Sequence, residues 1–556
     1  MLKLLAPFIG PYYKQAILIL LLLPLGSLAY SIQPTIMQRA IDGPISAYAS
    51  YSSLSVFLVA LAPYIGILLL AITVNFFIQI NMLYTINYLG QHMVADIRAK
   101  LFDHLEHLPM KFFDKTPVGR NVTRITNDME QLADSFAGGL ILTIVDIVNA
   151  LGIIAFMCYL NLRLSFAVIF LLIPMYFIAK YFQEQFRVAN IRARAELSHL
   201  NSFLQQCVVG IDVVQALDAS KQSMRKFGEI NKRYFKANDD SIKADSAFSA
   251  AIELVAIATI ALLIYLSKEI LLGGSLISIG VIIAFLQYAQ TLFDPIRNLS
   301  DRFSIIQAGF TAAERISELL EEPISIVDVE PDQAVKLDDL ARECGAEFPT
   351  IEFRHVYFSY GSSPVLEDFN LVINPRESLA LVGKTGSGKS SIVKLLTRLY
   401  EPQQGEILIN GVNIKRIALE DLRNFISVVH QDSYIFSGDL NSNISLGRSN
   451  ADLTMADTCL AVLDKSGIGL NTVLEQRATN ISAGEEQVIN FARALVTKPR
   501  ILILDEASAN IDVVTETKLL ESLRDYRRQH PFTLIAIAHR LETVADFDRV
   551  VDISAG

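Results

Sequence analysis

The stretch SLALVGKTGSGKSSIVKLL, Ser378 to Leu396, decides how the C-terminal part of this 556-residue chain is built. Its apolar opening reads as a buried strand, the run Gly383-Lys384-Thr385-Gly386-Ser387-Gly388 as a turn, and Lys389 onward as a helix start. Gly383, Gly386 and Gly388 let the backbone curl until its N–H groups face a phosphate chain. Lys389 can then reach the outer phosphate oxygens, and Ser390 can present a hydroxyl to a divalent cation, with Ser391 behind it. The positive end of the helix adds to the anion site. A bare match of this pattern arises by chance, but chance supplies no strand in front of it.

Two further strands point to the same kind of sheet. RILILDEASANID, Arg500 to Asp512, holds four apolar residues and then Asp505 at the strand's C-terminal end, where a Mg²⁺ shell can be held. Glu506 follows, placed to polarise an attacking water. A pair of acids can also merely cap the next helix. LIAIAHRLET, Leu534 to Thr543, reads as a third parallel strand ending at His539. A lone histidine is usually structural; one at the strand ends of an open α/β sheet sits where ligands bind. A second anion-holding turn follows in NISAGEEQVINFARAL, Asn480 to Leu495. Ser482 and Glu485 form a capping-box pattern, which explains the serine and gives no reason for Gly484.

The first three hundred residues are a different material. The mean hydropathy of +0.37 averages long apolar runs over a soluble-looking remainder. Six segments can each supply the roughly 20 residues a bilayer crossing needs: Gln15–Met37, Ser55–Ile80, Ala137–Leu160, Leu164–Phe182, Ala247–Ser267 and Ile270–Ile296. The two long connections, about 81–136 and 183–246, carry six and ten Lys/Arg respectively. The opposite connections carry only Arg39, Arg163 and Lys268, so the long ones and the C-terminal part face the cytoplasm. Both keep helical apolar spacing, broken at DKTPVGR (Asp114–Arg120) and at Gly210. They read either as hairpins shielding a surface or as hairpins tipped by short docking helices. The net charge of −10 offers no basic footprint for nucleic acid. Cys158, Cys207, Cys344 and Cys459 have neither metal-ligand nor disulfide spacing.

Together these motifs resemble the ABC transporter family, in its exporter-type half-transporter branch, over essentially the whole chain. The resemblance implies an all-α six-helix transmembrane domain with long cytoplasmic extensions (1–310), a linker (311–348) and an α/β P-loop nucleotide-binding domain (349–556). It implies ATP and Mg²⁺ as ligands, with Ser390, Gln431 and Asp505 toward the metal. Tyr360 in VYFSYG resembles the aromatic that stacks on adenine, Gln431 in VVHQDSYIFSGD the Q-loop glutamine, and Asp512 the D-loop aspartate. Glu506, His539 and Gln431 take the catalytic positions. The family's signature turn, usually LSGGQ, binds ATP held by the other subunit; here it reads Ile481-Ser482-Ala483-Gly484-Glu485, keeping Ser482 and Gly484. Gln476-Arg477-Ala478 stands where exporters usually have Glu-x-Gly, and such cassettes commonly carry a further tail after the position of VVDISAG.

The expected activity is ATP-driven export of a lipid, drug-like molecule or peptide across a bacterial-type cytoplasmic membrane by a dimer. An ATP-gated channel or regulator shares the architecture, but no charged ring or filter-like sequence supports it. The two altered signature positions fit a heterodimer, and the retained Ser482 and Gly484 tilt the reading to self-pairing. Asp146 and Glu253 fall mid-span, where a charge is costly. They read either as lining a substrate route, with Gln287 and Gln290 completing a polar patch, or as paired with polar groups of neighbouring helices.

Overall fold

The computed structural model describes residues 2–51, 53–272, 278–330, 332–337, 348–361, 363–384, 386–431, 434–448, 472–475, 480–505, 513–537 and 547–553. The chain divides into two compact units: Met1–Leu105 with Gly119–Glu321, and Glu106–Val118 with Glu322–Gly556.

The first unit is helical throughout: α1 (Leu2–Ile9), α2 (Tyr13–Ser31), α3 (Gln33–Ala40), α4 (Leu54–His107), α6 (Val118–Thr123), α7 (Met129–Asp134), α8 (Leu142–Leu160), α9 (Leu162–Val209), α10 (Ile211–Ala216), α11 (Ser220–Leu272) and α12 (Ile279–Leu320). The short α5 (Met110–Lys115) lies between α4 and α6 and belongs to the other unit. At 54, 48, 53 and 42 residues, α4, α9, α11 and α12 far exceed one bilayer crossing. Among the described residues, four helical runs are long and apolar enough to cross a membrane, with Ile279–Phe293 a shorter apolar segment. The sixth span starts later than its hydropathy suggests. Ser278 caps α12, accepting from the Val281 N–H, whereas the apolar run begins eight residues earlier in the sequence.

Small residues set the closest approaches between these helices. A Cβ on Gly309 of α12 would lie 2.0 Å from the Ser135 Cβ, and one on Gly152 of α8 would lie 2.4 Å from the Ser27 Oγ of α2. Asp42, after α3, ties down the start of α12: its Oδ1 accepts from the Gly280 N–H at 2.8 Å, and its Oδ2 accepts from Ser278 and Gln38.

The second unit carries two main sheets. The strands are β1 (Ile351–Ser359), β2 (Pro364–Ile373), β3 (Ser378–Val382), β4 (Gln404–Ile409), β5 (Val412–Asn413), β6 (Ile426–Val429), β7 (Gly438–Asp439), β8 (Val473–Leu474), β9 (Ile501–Asp505), β10 (Thr533–Ile537) and β11 (Arg549–Asp552). An antiparallel sheet runs β2-β1-β4-β5, and a parallel sheet runs β11-β3-β10-β9-β6. The parallel strands are apolar on both faces because helices cover both sides. Leu379, Leu381, Ile501, Ile503, Ile535 and Ile537 point into one core and Leu502, Leu504, Leu534 and Ala536 into another.

Candidate nucleotide site

The register of the parallel sheet builds the site. Ile537 pairs with Asp505 on one side and with Leu381 on the other, and Val429 pairs with Leu504. The C-terminal ends of β3, β9, β10 and β6 are therefore level, so the turn after β3, Asp505 and Gln431 leave from one edge. That is the edge where open parallel sheets bind ligands. The described parts of β9 and β10 end at this edge with Asp505 and Ile537; Glu506, Asp512 and His539 lie outside the described residues, as do Thr385 and 476–479.

The turn after β3 is held by its own atoms. Gly386 and Gly388 take φ of +87° and +94°, a left-handed conformation that favours glycine. A Cβ on Gly388 would press within 3.0 Å of Leu366. Lys389 is buried, with its Nζ donating to the carbonyls of Gly383 and Lys384 at 2.8 and 3.0 Å. It begins helix Lys389–Leu396, whose N-terminus opens into the turn. Ser390 Oγ donates to Asp505 Oδ1 at 3.3 Å, joining the segment after β3 to the end of β9. Among the described residues the Ser387 hydroxyl is buried without a partner, a polar atom left for a ligand. Residues 383–384 and 386–391, with a buried ammonium and a spare hydroxyl at a helix N-terminus, fit a phosphate chain. Ser390 beside Asp505 supplies oxygen donors of the kind Mg²⁺ takes.

Tyr360 stands at the side of this cradle. Its hydroxyl is 3.1 Å from Ser391 Oγ, Lys394 Nζ lies 5.2 Å from its ring centre, and Phe358 and Tyr400 meet it edge-on at 4.9 and 5.1 Å. The ring remains 37% exposed, enough to stack a base. Tyr400, which sequence reasoning passed over, links this cluster to the short α5: its hydroxyl donates to Asp114. Burial first, and then the Asp114 carboxylate, push the Tyr400 phenol well above its usual range, so it keeps the proton it donates. The tyrosine eleven positions after Lys389, in RLYEPQQG, was the available sequence signal. His430, beside Gln431, was also missed. Burial lowers its pKa, against the pull of Asp505, and keeps the ring neutral.

The second anion-holding turn forms the capping box its spacing foretold. Ser482 Oγ accepts from the Glu485 N–H at 3.3 Å, and Glu485 Oε2 accepts from the Ser482 N–H and Oγ at 2.8 and 2.9 Å. Glu485 thus bends back onto Ser482 at the start of helix Ala483–Leu495. The turn is solvent-facing, and a Cβ on Gly484 would meet nothing within 4 Å.

The pattern of the ABC transporter transmembrane region matches residues 16–296, half of the chain, and that of the ABC transporter cassette matches residues 366–509. The chain belongs to the ABC transporter family. It is 34% identical to the Bacillus subtilis ABC transporter ATP-binding protein YknV, across 84% of this chain and 77% of that protein. It is 29% identical to the ATP-dependent lipid A-core flippase of Syntrophus aciditrophicus, across 84% and 77%. Its fold is that of a bacterial Atm1-family ABC exporter solved with ATP bound, with a TM-score of 0.74 at 21% identity over 98% of this chain and 94% of that one. This ABC transporter is a membrane protein that couples ATP hydrolysis to transport, with exporter and half-transporter architecture.

The residues read as a substrate route are distributed as follows. Asp146 on α8 lies 3.8 Å from the Arg302 guanidinium of α12, an ion pair that neutralises the mid-span charge. Gln287 donates to Met37 Sδ at 3.1 Å, while Glu253 on α11 and Gln290 on α12 are exposed.

Proposed function

We propose that the chain is one half of a homodimeric exporter in which the signature turn of each copy closes on the ATP held by the other copy's P-loop. The observation that supports this reading is the contrast between a P-loop whose buried Lys389 is bound to its own carbonyls and a solvent-facing signature turn with nothing within 4 Å of a Cβ on Gly484. In this scheme Lys389 and the N–H groups of 383–390 hold the phosphates, and Tyr360 stacks the base. Glu506 polarises the attacking water, while His539 and Gln431 orient the outer phosphate. Asp512 supports the contact between copies. Mg²⁺, held by Ser390, Asp505 and Gln431, neutralises the phosphate charge when bound.

Export fits the fused membrane and ATPase parts, and the Lys/Arg asymmetry supports a cytoplasmic cassette in a bacterial-type inner membrane. The tip around α10 exposes Val208, Val209, Ile211, Val213 and Leu217, an apolar patch suited to docking on the partner copy. A lipid, drug-like or peptide cargo is consistent with the lipid A-core flippase among the relatives. Reconstituted vesicles test the reading. ATP-dependent movement of a fluorescent lipid or dye away from the ATP side, abolished by Glu506→Gln, supports it. ATP-gated ion conductance without cargo movement overturns it.

A further inference from the structure

An apolar groove of about 480 Å³ lies between α3, α4 and α8, lined by none of the residues discussed above as a substrate route. Ile32, Thr35, Ile36 and Arg39 form one wall, spaced by three and four residues so that they share a helical face; Ile67 and the Ala155-Phe156-Tyr159 face close it. Its size falls in the range of about 300–1,000 Å³ that holds a small ligand. Of its lining residues, Arg39 alone is charged. Thr35 is already committed to Tyr288, 2.9 Å away. Arg39 is exposed and has no ion pair or hydrogen bond among the described residues. Both carboxylate oxygens of Asp42, one turn further on, are taken by Gly280, Ser278 and Gln38.

We infer that this groove binds an amphiphile with one anionic head and an apolar chain, the head on Arg39 and the chain along Ile32, Ile36, Ile67 and Phe156. A guanidinium forks onto a carboxylate or phosphate, and an unpaired cation at the mouth of an apolar slot selects that charge over the opposite one. A lipid head and a free fatty acid carry the same chemistry; the apolar length of the groove favours a single chain. The inference deepens the export reading, since it names the cargo class, yet binding to the groove can be measured without transport.

The chain contains no tryptophan, so Phe156→Trp installs a single fluorescent reporter inside the groove. Phe170→Trp, at an exposed position of α9, reports on the surrounding micelle. The probes are a nitroxide-labelled twelve-carbon fatty acid and a nitroxide-labelled alkylammonium of equal length, titrated into each variant in nonionic detergent. Saturable quenching of the groove reporter by the acid is expected, about tenfold or more tighter than by the ammonium. Arg39→Gln should weaken the acid by about ten- to a hundredfold, the range of a lost charge-assisted bond, while Arg39→Lys retains most of it. Three outcomes overturn the inference: equal quenching by both probes, indifference to Arg39→Gln, or no saturation beyond that of the micelle reporter. A groove filled by the partner copy gives the last result. Failure of export itself would show instead as absent ATP-dependent transport with the binding preference intact.

Discussion

The P-loop and the signature turn both run into the N-terminus of a helix, yet their surroundings are opposite. At the first, Lys389 is buried and bridges two carbonyls of its own loop, Ser390 reaches Asp505, and Gly388 is crowded by Leu366. At the second, among the described residues, Ser482 and Glu485 satisfy each other, and nothing lies within 4 Å of a Cβ on Gly484. The first turn is held in shape by its own chain. The second turn is well capped and solvent-facing, and its altered fifth position, Glu485, bends back onto Ser482.

The largest effect should fall on the side of the first turn. Glu506→Gln is expected to slow ATP turnover at least ~100-fold, the scale of a positioned base, with ATP binding retained; Lys389→Ala should lose the binding itself. Near-normal steady-state turnover in Glu506→Gln would remove that glutamate from the site. A smaller effect tests whether that side is also tied to α5. Tyr400→Phe deletes the bond to Asp114, a loss of about 1 kcal/mol, and hydrogen exchange across 106–118 should quicken about fivefold. Because the phenol titrates only at strongly alkaline pH, that difference should persist across the neutral range.

At the second turn, Glu485→Ala removes one arm of the capping box. It should cost the cassette about 0.5–1 kcal/mol in urea unfolding, the range of a lost helix cap. No change would mean that the cap is decoration and that Glu485 is free to face a partner. The smallest effect concerns the sheet that carries both turns. The Ser378 hydroxyl and then its N–H, at 2.6 and 2.8 Å, hold the Asp548 carboxyl below its usual range. The folded state therefore gains from Asp548 above the ordinary carboxylate range and loses that gain as pH falls through the lowered value. Asp548→Asn should flatten the acid limb of the stability curve slightly; an unchanged limb removes this pair from the account.

How legible each part was depended on the distance over which its chemistry is written. The P-loop, β9 with Asp505 and the capping box are local patterns in which spacing, apolar runs and glycines coincide, and the structure forms each. The Tyr400–Asp114 bond joins residues 286 apart in sequence and leaves no pattern in either segment. Asp146 was readable as a costly mid-span charge, while its partner Arg302 sits beyond the sixth apolar segment and gave no sign of the pairing. The start of α12 was misplaced because hydropathy does not see a capping serine, and Ser278 caps the helix inside a sequence that stays largely apolar.

Whether the two turns meet across copies is most directly tested by ATP hydrolysis in two differently tagged mixed dimers, purified through both tags. One pairs a Lys389→Ala copy with a Ser482→Arg copy; the other pairs wild type with a copy carrying both substitutions. If each signature turn serves the other copy's P-loop, the first dimer keeps one intact site and hydrolyses ATP, while the second has both sites broken and is inactive. The reverse order, with activity only in the second dimer, would contradict the account by showing that each chain completes its own site.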